Sequence, residues 1–200
     1  MNYLAHALLA GDDRANRCGG VAGDFIKGLL PGGLPPALAA GVALHRRIDS
    51  FADAHPAFRQ SRTRVSPARR RLAGIMVDVF YDHLLAVHWS RFCDEPLESY
   101  TEGLYAELHQ LADFLPPRFG EVLPRMHEHN WLLSYRSADN VGLALDRMAL
   151  HRLRQPNNLA GAGEELLRDY AGFEADFLAF FPDALRFSEV VRAGRSLRFD

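Results

Sequence analysis

The apolar residues of this 200-residue chain recur at helical spacing over almost its whole length. Strands would show a sustained alternation of apolar and polar residues, and the chain has none; it also lacks the Asn-Gly and Asp-Gly pairs that mark hairpins. The pattern therefore predicts an all-α fold. Because domains usually run to roughly 100–200 residues and no linker interrupts the pattern, we expect a single domain over residues 1–200.

Prolines, glycines and polar clusters divide the pattern into helices. The strongest breaker is the stretch from Pro31 to Pro36. His55-Pro56 should end a helix because the residue before a proline resists the helical region, and Ser66-Pro67 suits a helix start. The predicted helices cover about residues 2–10, 21–28, 35–54, 66–92, 97–114, 117–135, 138–153, 164–181 and 182–192.

The composition is that of an ordinary globular protein, with 48% hydrophobic and 24% charged residues. No stretch approaches the roughly 18 apolar residues that a membrane span needs, so we expect a soluble protein without a membrane segment. The apolar start, Tyr3 to Ala10, has no basic flank before it, and we interpret it as part of a mature cytoplasmic protein rather than a signal. Cys18 and Cys93 match no disulfide or zinc pattern and are predicted to be free thiols.

Positive charge is concentrated in one region although the net charge is only −2. Eight arginines lie between His45 and Arg71, against Asp49 and Asp53. They are Arg46, Arg47, Arg59, Arg62, Arg64, Arg69, Arg70 and Arg71. Such a region attracts a polyanion, which leaves nucleic acid, a phosphorylated small molecule or an acidic protein as partners, and a solvated face without a partner as the alternative. A pI of about 6.5 argues against nucleic acid.

Three groups of histidine and aspartate residues indicate a metal site. Two of them contain residues four apart, which project from one face of a helix. Nitrogen and oxygen ligands suit Mn²⁺, Fe²⁺ or Zn²⁺, and the absence of nearby cysteines favours a catalytic over a structural site. The groups are His6 with Asp24, His45 with Asp49, and Asp78 with Asp82 and His83.

Each group also has a simpler explanation, since a helical His–Asp pair is often a surface ion pair. Asp78 and Asp82 are harder to explain in this way. Two acids on one partly apolar face repel each other unless a cation or a basic group lies between them. A bound metal ion would account for this pair.

Nothing in the sequence indicates a pocket for an organic cofactor. Apolar residues of the second half lie at helical spacing and are predicted to be core rather than pocket. These are Trp131, Leu132, Tyr135, Leu145 and Met148. Gly19-Gly20 and Gly32-Gly33 fit no phosphate-cradling loop, so we predict no nucleotide-binding loop.

The chain contains five short motifs, which in order are Met1-Asn-Tyr-Leu-Ala-His6, Gly23-Asp24-Phe25, His45-Arg-Arg-Ile-Asp49, Asp78-Val-Phe-Tyr-Asp-His83 and His88-Trp89-Ser90. In order and spacing, these motifs resemble those of the acyl carrier protein phosphodiesterase family. A weaker resemblance continues through Trp131 to Arg136 and Phe177 to Pro182, so it covers nearly the whole chain.

The resemblance implies hydrolysis of the phosphodiester that joins 4′-phosphopantetheine to a serine of holo acyl carrier protein. It also implies a divergent relative of the HD-type metal phosphohydrolases, with an HD-like all-α fold and Mn²⁺ as the metal. The chain departs from the ordinary HD pattern, because its adjacent pair is the reverse, Asp82-His83.

The resemblance and the residue types together define a hypothesis for the site. Asp24 or Asp82 would orient water or move protons, and Arg46 and Arg47 would contact phosphate or the carrier, because a guanidinium matches phosphate geometry. Since acyl carrier proteins are acidic, Arg69, Arg70 and Arg71 would bind the carrier. The metal would lie among His6, Asp24, His45, Asp49, Asp78, Asp82 and His83.

Two other functions are compatible with the sequence. An HD-type phosphohydrolase acting on a nucleotide or another small phosphate ester would share the metal site. A non-enzymatic helical module would bind an acidic partner and use the histidines and aspartates only in ion pairs. Substrate tests distinguish the first from the carrier hydrolase, and metal analysis distinguishes the second.

Overall fold

The computed structural model describes residues 1–151, 153 and 156–194, and within them it contains α-helices and short 3₁₀ turns but no β-strand. The all-α prediction is confirmed. The α-helices are α1 (Tyr3–Leu9), α2 (Arg14–Ala22), α3 (Pro36–Ala54), α4 (Pro56–Arg64), α5 (Ala73–Val87), α6 (Leu97–Gln110), α7 (Pro117–Glu128), α8 (Trp131–Ser134), α9 (Ala138–His151), α10 (Gly163–Arg168) and α11 (Tyr170–Arg192). The 3₁₀ turns are Gly23–Phe25, Pro67–Leu72, Trp89–Arg91 and Ala112–Phe114.

The boundaries of α1 and α3 follow the sequence signals closely. Pro36 occupies the first turn of α3, where its missing N–H costs nothing. His55 is extended, as expected before Pro56, and ends α3. Its side chain then accepts a hydrogen bond from the backbone N–H of Ala57 and so caps α4, a helix that the sequence analysis did not predict.

The predicted helix over residues 21–28 is wrong. Asp13 accepts a hydrogen bond from the backbone N–H of Asn16, which begins α2 seven residues earlier, at Arg14. Gly23–Phe25 forms a 3₁₀ turn, and Gly28 adopts a left-handed φ of 87° that no helix continues. The polar stretch Gly11 to Asn16 thus follows the end of α1 and also provides the cap of α2.

Other predicted boundaries differ for tertiary reasons. Ser66 donates its backbone N–H and hydroxyl to Glu165 instead of capping, and a 3₁₀ turn precedes α5. Asn130, at a φ of 40°, splits the predicted helix 117–135 into α7 and α8. Pro182 lies inside α11, where buried neighbours such as Phe181 compensate for its cost. Arg152 of the predicted helix 138–153 and residues 195–200 of the predicted domain lie outside the described residues.

The buried apolar residues of the described chain form one cluster around α5. Met76, Val77 and Phe80 on α5 are completely buried. Tyr81 packs its ring against Phe177 of α11, at 5.3 Å between ring centroids. Helix α5 therefore presents side chains both to this core and, through Asp78, to the edge where α1 and α3 meet.

Glycines allow α2 and α3 to pack backbone to backbone. A Cβ on Gly19 would overlap the carbonyl of Leu38, and one on Gly41 would overlap the backbone of Asn16. The helices can approach this closely only because both positions lack a side chain. This contact brings the end of α2 beside His45 on α3.

Two expectations drawn from composition are also met by the described residues. Among them, no helix combines the length and the apolar character needed to cross a bilayer. Cys18 is buried, Cys93 is partly buried, and both are free thiols as predicted.

Candidate metal centre

Three predicted residues converge where α1 meets α3. His6 comes from α1, and His45 and Asp49 come from adjacent turns of α3, with one ligand atom of each within 4.8 Å of the others. The Nε2 of His6 lies 3.1 Å from Oδ1 of Asp49, and the Nε2 of His45 lies 3.2 Å from its Oδ2. The two imidazole rings stack at 3.8 Å between centroids. The i,i+4 spacing thus places His45 and Asp49 on one face of α3, as predicted. The packing of α1 against α3 adds His6 to this group.

Asp24 joins this group from the 3₁₀ turn after α2. Its Oδ1 lies 3.6 Å from the Nε2 of His45, and its side chain is half exposed. Together with Lys27, Arg46 and Asp49 it lines an open cavity of about 320 Å³. The metal-ligand candidates are therefore accessible to a ligand from solvent.

Asp78 approaches the same group from α5. Its Oδ1 accepts a hydrogen bond of 2.7 Å from the amino group of Met1, which also donates to Oδ1 of Asp49 at 3.2 Å. Burial disfavours the charged amine, but the charges of Asp78 and Asp49 outweigh it and raise its pKa to about 11. The amine therefore supplies a positive charge between two carboxylates of this group.

The structure holds Asp82 outside this group. Its fully buried carboxylate accepts hydrogen bonds from the backbone N–H groups of Leu4 and Ala5, at 2.8 and 3.0 Å. Burial raises the pKa of Asp82 to about 7 in spite of these two bonds. The carboxylate therefore anchors the first turn of α1, and with it the position of His6.

His83 also has other partners. Its Nδ1 donates to the carbonyl of Tyr135 at 2.7 Å, and its Nε2 lies 3.1 Å from the hydroxyl of Tyr170. Burial lowers the pKa of His83, so the ring is neutral and accepts from that hydroxyl. Both ring nitrogens thus have partners within the protein, and the structure does not bring His83 into the group of His6, His45 and Asp49.

Hydrogen bonds fix how His45 faces the carboxylates. Its Nδ1 lies 2.8 Å from the carbonyl of Gly20 and donates to it, which directs Nε2 towards Asp24 and Asp49. A Cβ on Gly23 would overlap the imidazole, so the ring needs a glycine there. Burial opposes protonation of His45, but hydrogen bonds to Asp24 and then Asp49 outweigh it and raise its pKa to about 9.

The other members of the group are shifted in the opposite direction. Burial, followed by the nearby charge of His45, lowers the pKa of His6 to about 4. Burial would raise the pKa of Asp49, but hydrogen bonds from His45 and His6 hold it well below its usual range. His6 is therefore neutral and Asp49 ionised at neutral pH, as metal ligands must be, whereas His45 would have to release its Nε2 proton when an ion binds.

These residues fit a divalent metal ion. The donor set combines two imidazole nitrogens with carboxylate oxygens, as in sites for first-row transition metals. The buried Nδ1 of His6 has no hydrogen-bond partner among the described residues, an exception for a buried polar atom. The described chain thus contains a possible His/Asp metal-binding group at the junction of α1, α3 and α5.

The predicted arginines fall into two sets. Arg46 lines the cavity beside Asp24 and donates to the carbonyls of Gly28 and Ile26. Arg69 donates to Glu165 and to the carbonyls of Asn158 and Ala160. Arg47, Arg70 and Arg71 are exposed and make no ion pair within the described part of the chain. The second set is therefore available to a protein partner, whereas Arg46 faces the cavity.

Lys27 in the cavity wall and the roles of the glycines are not among the sequence predictions. Gly20 supplies the carbonyl that orients His45, and Gly23 makes room for its ring. The run of small residues Gly19, Gly20 and Gly23, with Gly41 on the next helix, is the sequence signal that indicates close helix packing here.

Comparison with known proteins assigns the family. Residues 1–184 match the family model described as acyl carrier protein phosphodiesterase. A relative of that name from Serratia proteamaculans is 34% identical over 93% of this chain and 96% of its own length. Relatives from Pectobacterium atrosepticum and Escherichia coli O157:H7, also so named, are 30% and 33% identical over 94% and 91% of this chain and 98% and 94% of their own lengths. No solved structure gives a significant match. On these matches, the chain belongs to the acyl carrier protein phosphodiesterase family.

Proposed function

We propose that this protein is a metal-dependent phosphodiesterase that hydrolyses holo acyl carrier protein to apo acyl carrier protein and 4′-phosphopantetheine. The observation that carries the proposal is the convergence of His6, His45 and Asp49 beside an open cavity. The names of the relatives supply the substrate. Mn²⁺ is the proposed metal and the cytoplasm the proposed location, both as predicted from the sequence.

The proposed ligands are fewer than the sequence analysis assumed. His6, His45 and Asp49 bind the ion, and Asp24 and Asp78 complete the negative environment around it. When bound, a divalent ion supplies positive charge that activates water near neutral pH and offsets the charge of the phosphoryl oxygens. Asp82 and His83 are proposed to position α1 and the neighbouring helices instead, and the likeness to HD-type enzymes stays a prediction.

Residues of the chain provide the remaining chemistry. A hydrogen bond to His45 lowers the pKa of Asp24, so this half-exposed carboxylate is ionised at neutral pH and can accept a proton from attacking water. Lys27 and Arg46 line the same cavity and place positive charge near the substrate phosphate. In the overall reaction, water supplies hydroxyl to phosphorus and a proton to the leaving serine oxygen of the carrier.

Intact-mass measurement of holo acyl carrier protein tests the reaction directly. The carrier is incubated with this protein in the presence of either Mn²⁺ or EDTA. The proposal expects 4′-phosphopantetheine to be lost only with metal. No loss in either condition would contradict it, and hydrolysis of nucleotides instead of the carrier would favour the HD-type phosphohydrolase.

Metal binding is tested separately by elemental analysis and by the melting temperature. A ligand present at 100 times its Kd stabilises a protein by about 2.7 kcal/mol, so Mn²⁺ should raise Tm measurably. His6→Gln should remove most of this rise, whereas His127→Gln, at a partly exposed histidine on α7, should keep it. A protein with neither bound metal nor metal-dependent stabilisation would support the non-enzymatic binding module.

A further inference from the structure

A second and larger cavity, of about 640 Å³, lies beside the metal centre. Helices α7 and α9 and the segment around α8 form its walls, and Tyr3 and Phe25 form the side nearest the metal centre. Phe25 directly follows Asp24, and Tyr3 lies one turn before His6 on α1. The volume falls within the roughly 300–1,000 Å³ typical of sites for small organic ligands.

Some residues that the sequence predicts to be buried core line this cavity instead. Leu132 and Leu145 are completely buried, as expected for core. Trp131 and Met148, predicted to be core by the same periodicity, line the cavity instead and are only partly buried. Leu143, also in the wall, is 52% exposed. The apolar side chains of Trp131 and Met148 therefore face an open cavity, although the helical pattern predicts that they are buried.

Three arginines stand out among the polar side chains of the cavity. Arg118, Arg125 and Arg147 line it, are exposed, and form no ion pair with any described residue. By contrast, Arg64 and Arg69 each bind carboxylates. Unpaired guanidinium groups around an apolar wall favour a ligand that is partly apolar and rich in oxygen acceptors.

We propose that this cavity binds the pantetheine arm of the substrate while the phosphodiester lies at the metal centre; the inference rests on the proposed function. The arm carries a dimethyl-substituted carbon, a hydroxyl group and two amides before its terminal thiol. The apolar parts would contact Trp131 and Met148, and the amide carbonyls would accept hydrogen bonds from the arginines or from Asn140. Phe25 lines the larger cavity, and its sequence neighbours Asp24 and Ile26 line the smaller one, so the arm would run past the Phe25 side chain.

Filling the cavity tests its role in catalysis. Ala144, in the wall on α9, is replaced by Phe, and Ala106, an exposed residue on α6, is replaced by Phe as a control. Ala144→Phe should lower kcat/KM for holo carrier by roughly tenfold or more, with the Kd for Mn²⁺ unchanged. Ala106→Phe should stay within about twofold of the unmodified protein. An unchanged kcat/KM in Ala144→Phe, or a loss matched by weaker Mn²⁺ binding, would overturn the proposal.

Disulfide trapping tests the location of the arm without any hydrolysis. Holo carrier whose arm thiol is activated as a 2-pyridyl disulfide is mixed with Met148→Cys in EDTA, and exchange releases 2-thiopyridone. Met148→Cys should form the mixed disulfide at least about tenfold faster than Ala106→Cys, since the arm holds the two sulfurs together. Equal rates would overturn the cavity assignment. Failure of the proposed function is distinguishable, because it would appear as unmodified protein that does not hydrolyse holo carrier with Mn²⁺.

Discussion

Two clusters of charged residues in this protein contain similar side chains but differ in the balance of their charges. The first, the arginine network, joins α4 and the 3₁₀ turn before α5 to α10 and α11. Arg64 lies 2.7 Å from both Asp169 and Asp176, and Glu165 contacts Arg69 and Arg168 at 3.1 and 2.6 Å. Its members are Arg64, Arg69, Arg168, Glu165, Asp169 and Asp176. The second is the metal centre of His6, Asp24, His45, Asp49 and Asp78.

The difference lies in whether the charges are balanced. In the arginine network, three guanidinium groups face three carboxylates. At the metal centre, three carboxylates face only the amine of Met1 and His45, since the low pKa of His6 leaves it neutral. The arginine network is therefore balanced in charge, whereas the carboxylates of the proposed metal centre keep an excess of negative charge. We propose that the first cluster stabilises the fold and that the second serves the metal-dependent reaction, and the following experiments test this difference.

The largest effect is expected at Asp49. Asp49→Asn removes the negative charge that both histidines face, so kcat/KM for holo carrier should fall by about a thousandfold or more. Asp53→Asn, four residues further along α3 and exposed, should change activity by less than about twofold. Steady-state kinetics and metal content measure both, and a fully active Asp49→Asn would remove the distinction between the clusters.

The matching change in the arginine network should affect stability alone. Asp176→Asn leaves Arg64 with one of its two carboxylates and should lower the free energy of unfolding by about 3 kcal/mol. Because no residue of the metal centre is touched, kcat/KM of the folded fraction should stay unchanged. Urea unfolding followed by circular dichroism, with kinetics on the same sample, provides the measurement. A loss of activity without loss of stability would refute the structural role.

Glu165 should make the free energy of unfolding depend on pH in the acid range. Burial opposes ionisation, but hydrogen bonds from Ser66 and Arg69 outweigh it and lower the pKa of Glu165 to about 2. A lowered carboxylate pKa stabilises the fold above the unfolded-state value near 4.5, and this contribution disappears as pH falls through about 2. At one pKa unit per 1.4 kcal/mol, the contribution at neutral pH is about 3 kcal/mol.

Glu165→Gln should therefore flatten the stability profile between pH 4.5 and about 2. Glu121→Gln, at an exposed position on α7, serves as the control and should leave the profile unchanged. Urea titrations at several pH values across this range measure the free energy of unfolding of both variants. An unaltered profile in Glu165→Gln would assign the acid sensitivity to other carboxylates.

The smallest effect is expected at the exposed arginines. Arg70→Glu with Arg71→Glu should raise KM for the acidic carrier about threefold to tenfold and weaken its salt dependence, while Tm stays constant. Arg69→Glu should instead lower Tm, since Arg69 pairs with buried Glu165. Kinetics at two ionic strengths would show the difference, and equal effects of the two changes would contradict the separation of the arginines into two sets.

The sequence predicts which side chains lie together where the geometry is local. His45 and Asp49 lie four apart on one helix, and helix periodicity alone places them together. Periodicity does not predict the partners of Asp82 and His83 on α5, which contact the backbone of α1 and the hydroxyl of Tyr170. Their partners lie far away in sequence, and no periodicity encodes which of two helical faces meets which neighbour.

The arginines show the same limit. The sequence shows eight arginines within one segment, but it does not show which of them form ion pairs. Arg69 pairs with Glu165, whereas Arg70 and Arg71 face solvent. Charge density is a property of the segment, whereas pairing depends on the element packed against it. Arg118, Arg125 and Arg147 escaped notice because they are dispersed in sequence and meet only around the larger cavity.

The sequence by itself determined the helical class, the boundaries of α1 and α3 and the family, because spacing, capping and motif order are local properties. The tertiary structure alone decided which carboxylates face the histidines, which arginines remain unpaired and where Trp131 and Met148 leave a cavity. These outcomes depend on contacts between helices distant in sequence, whose geometry is set by packing such as the glycine contact of α2 with α3.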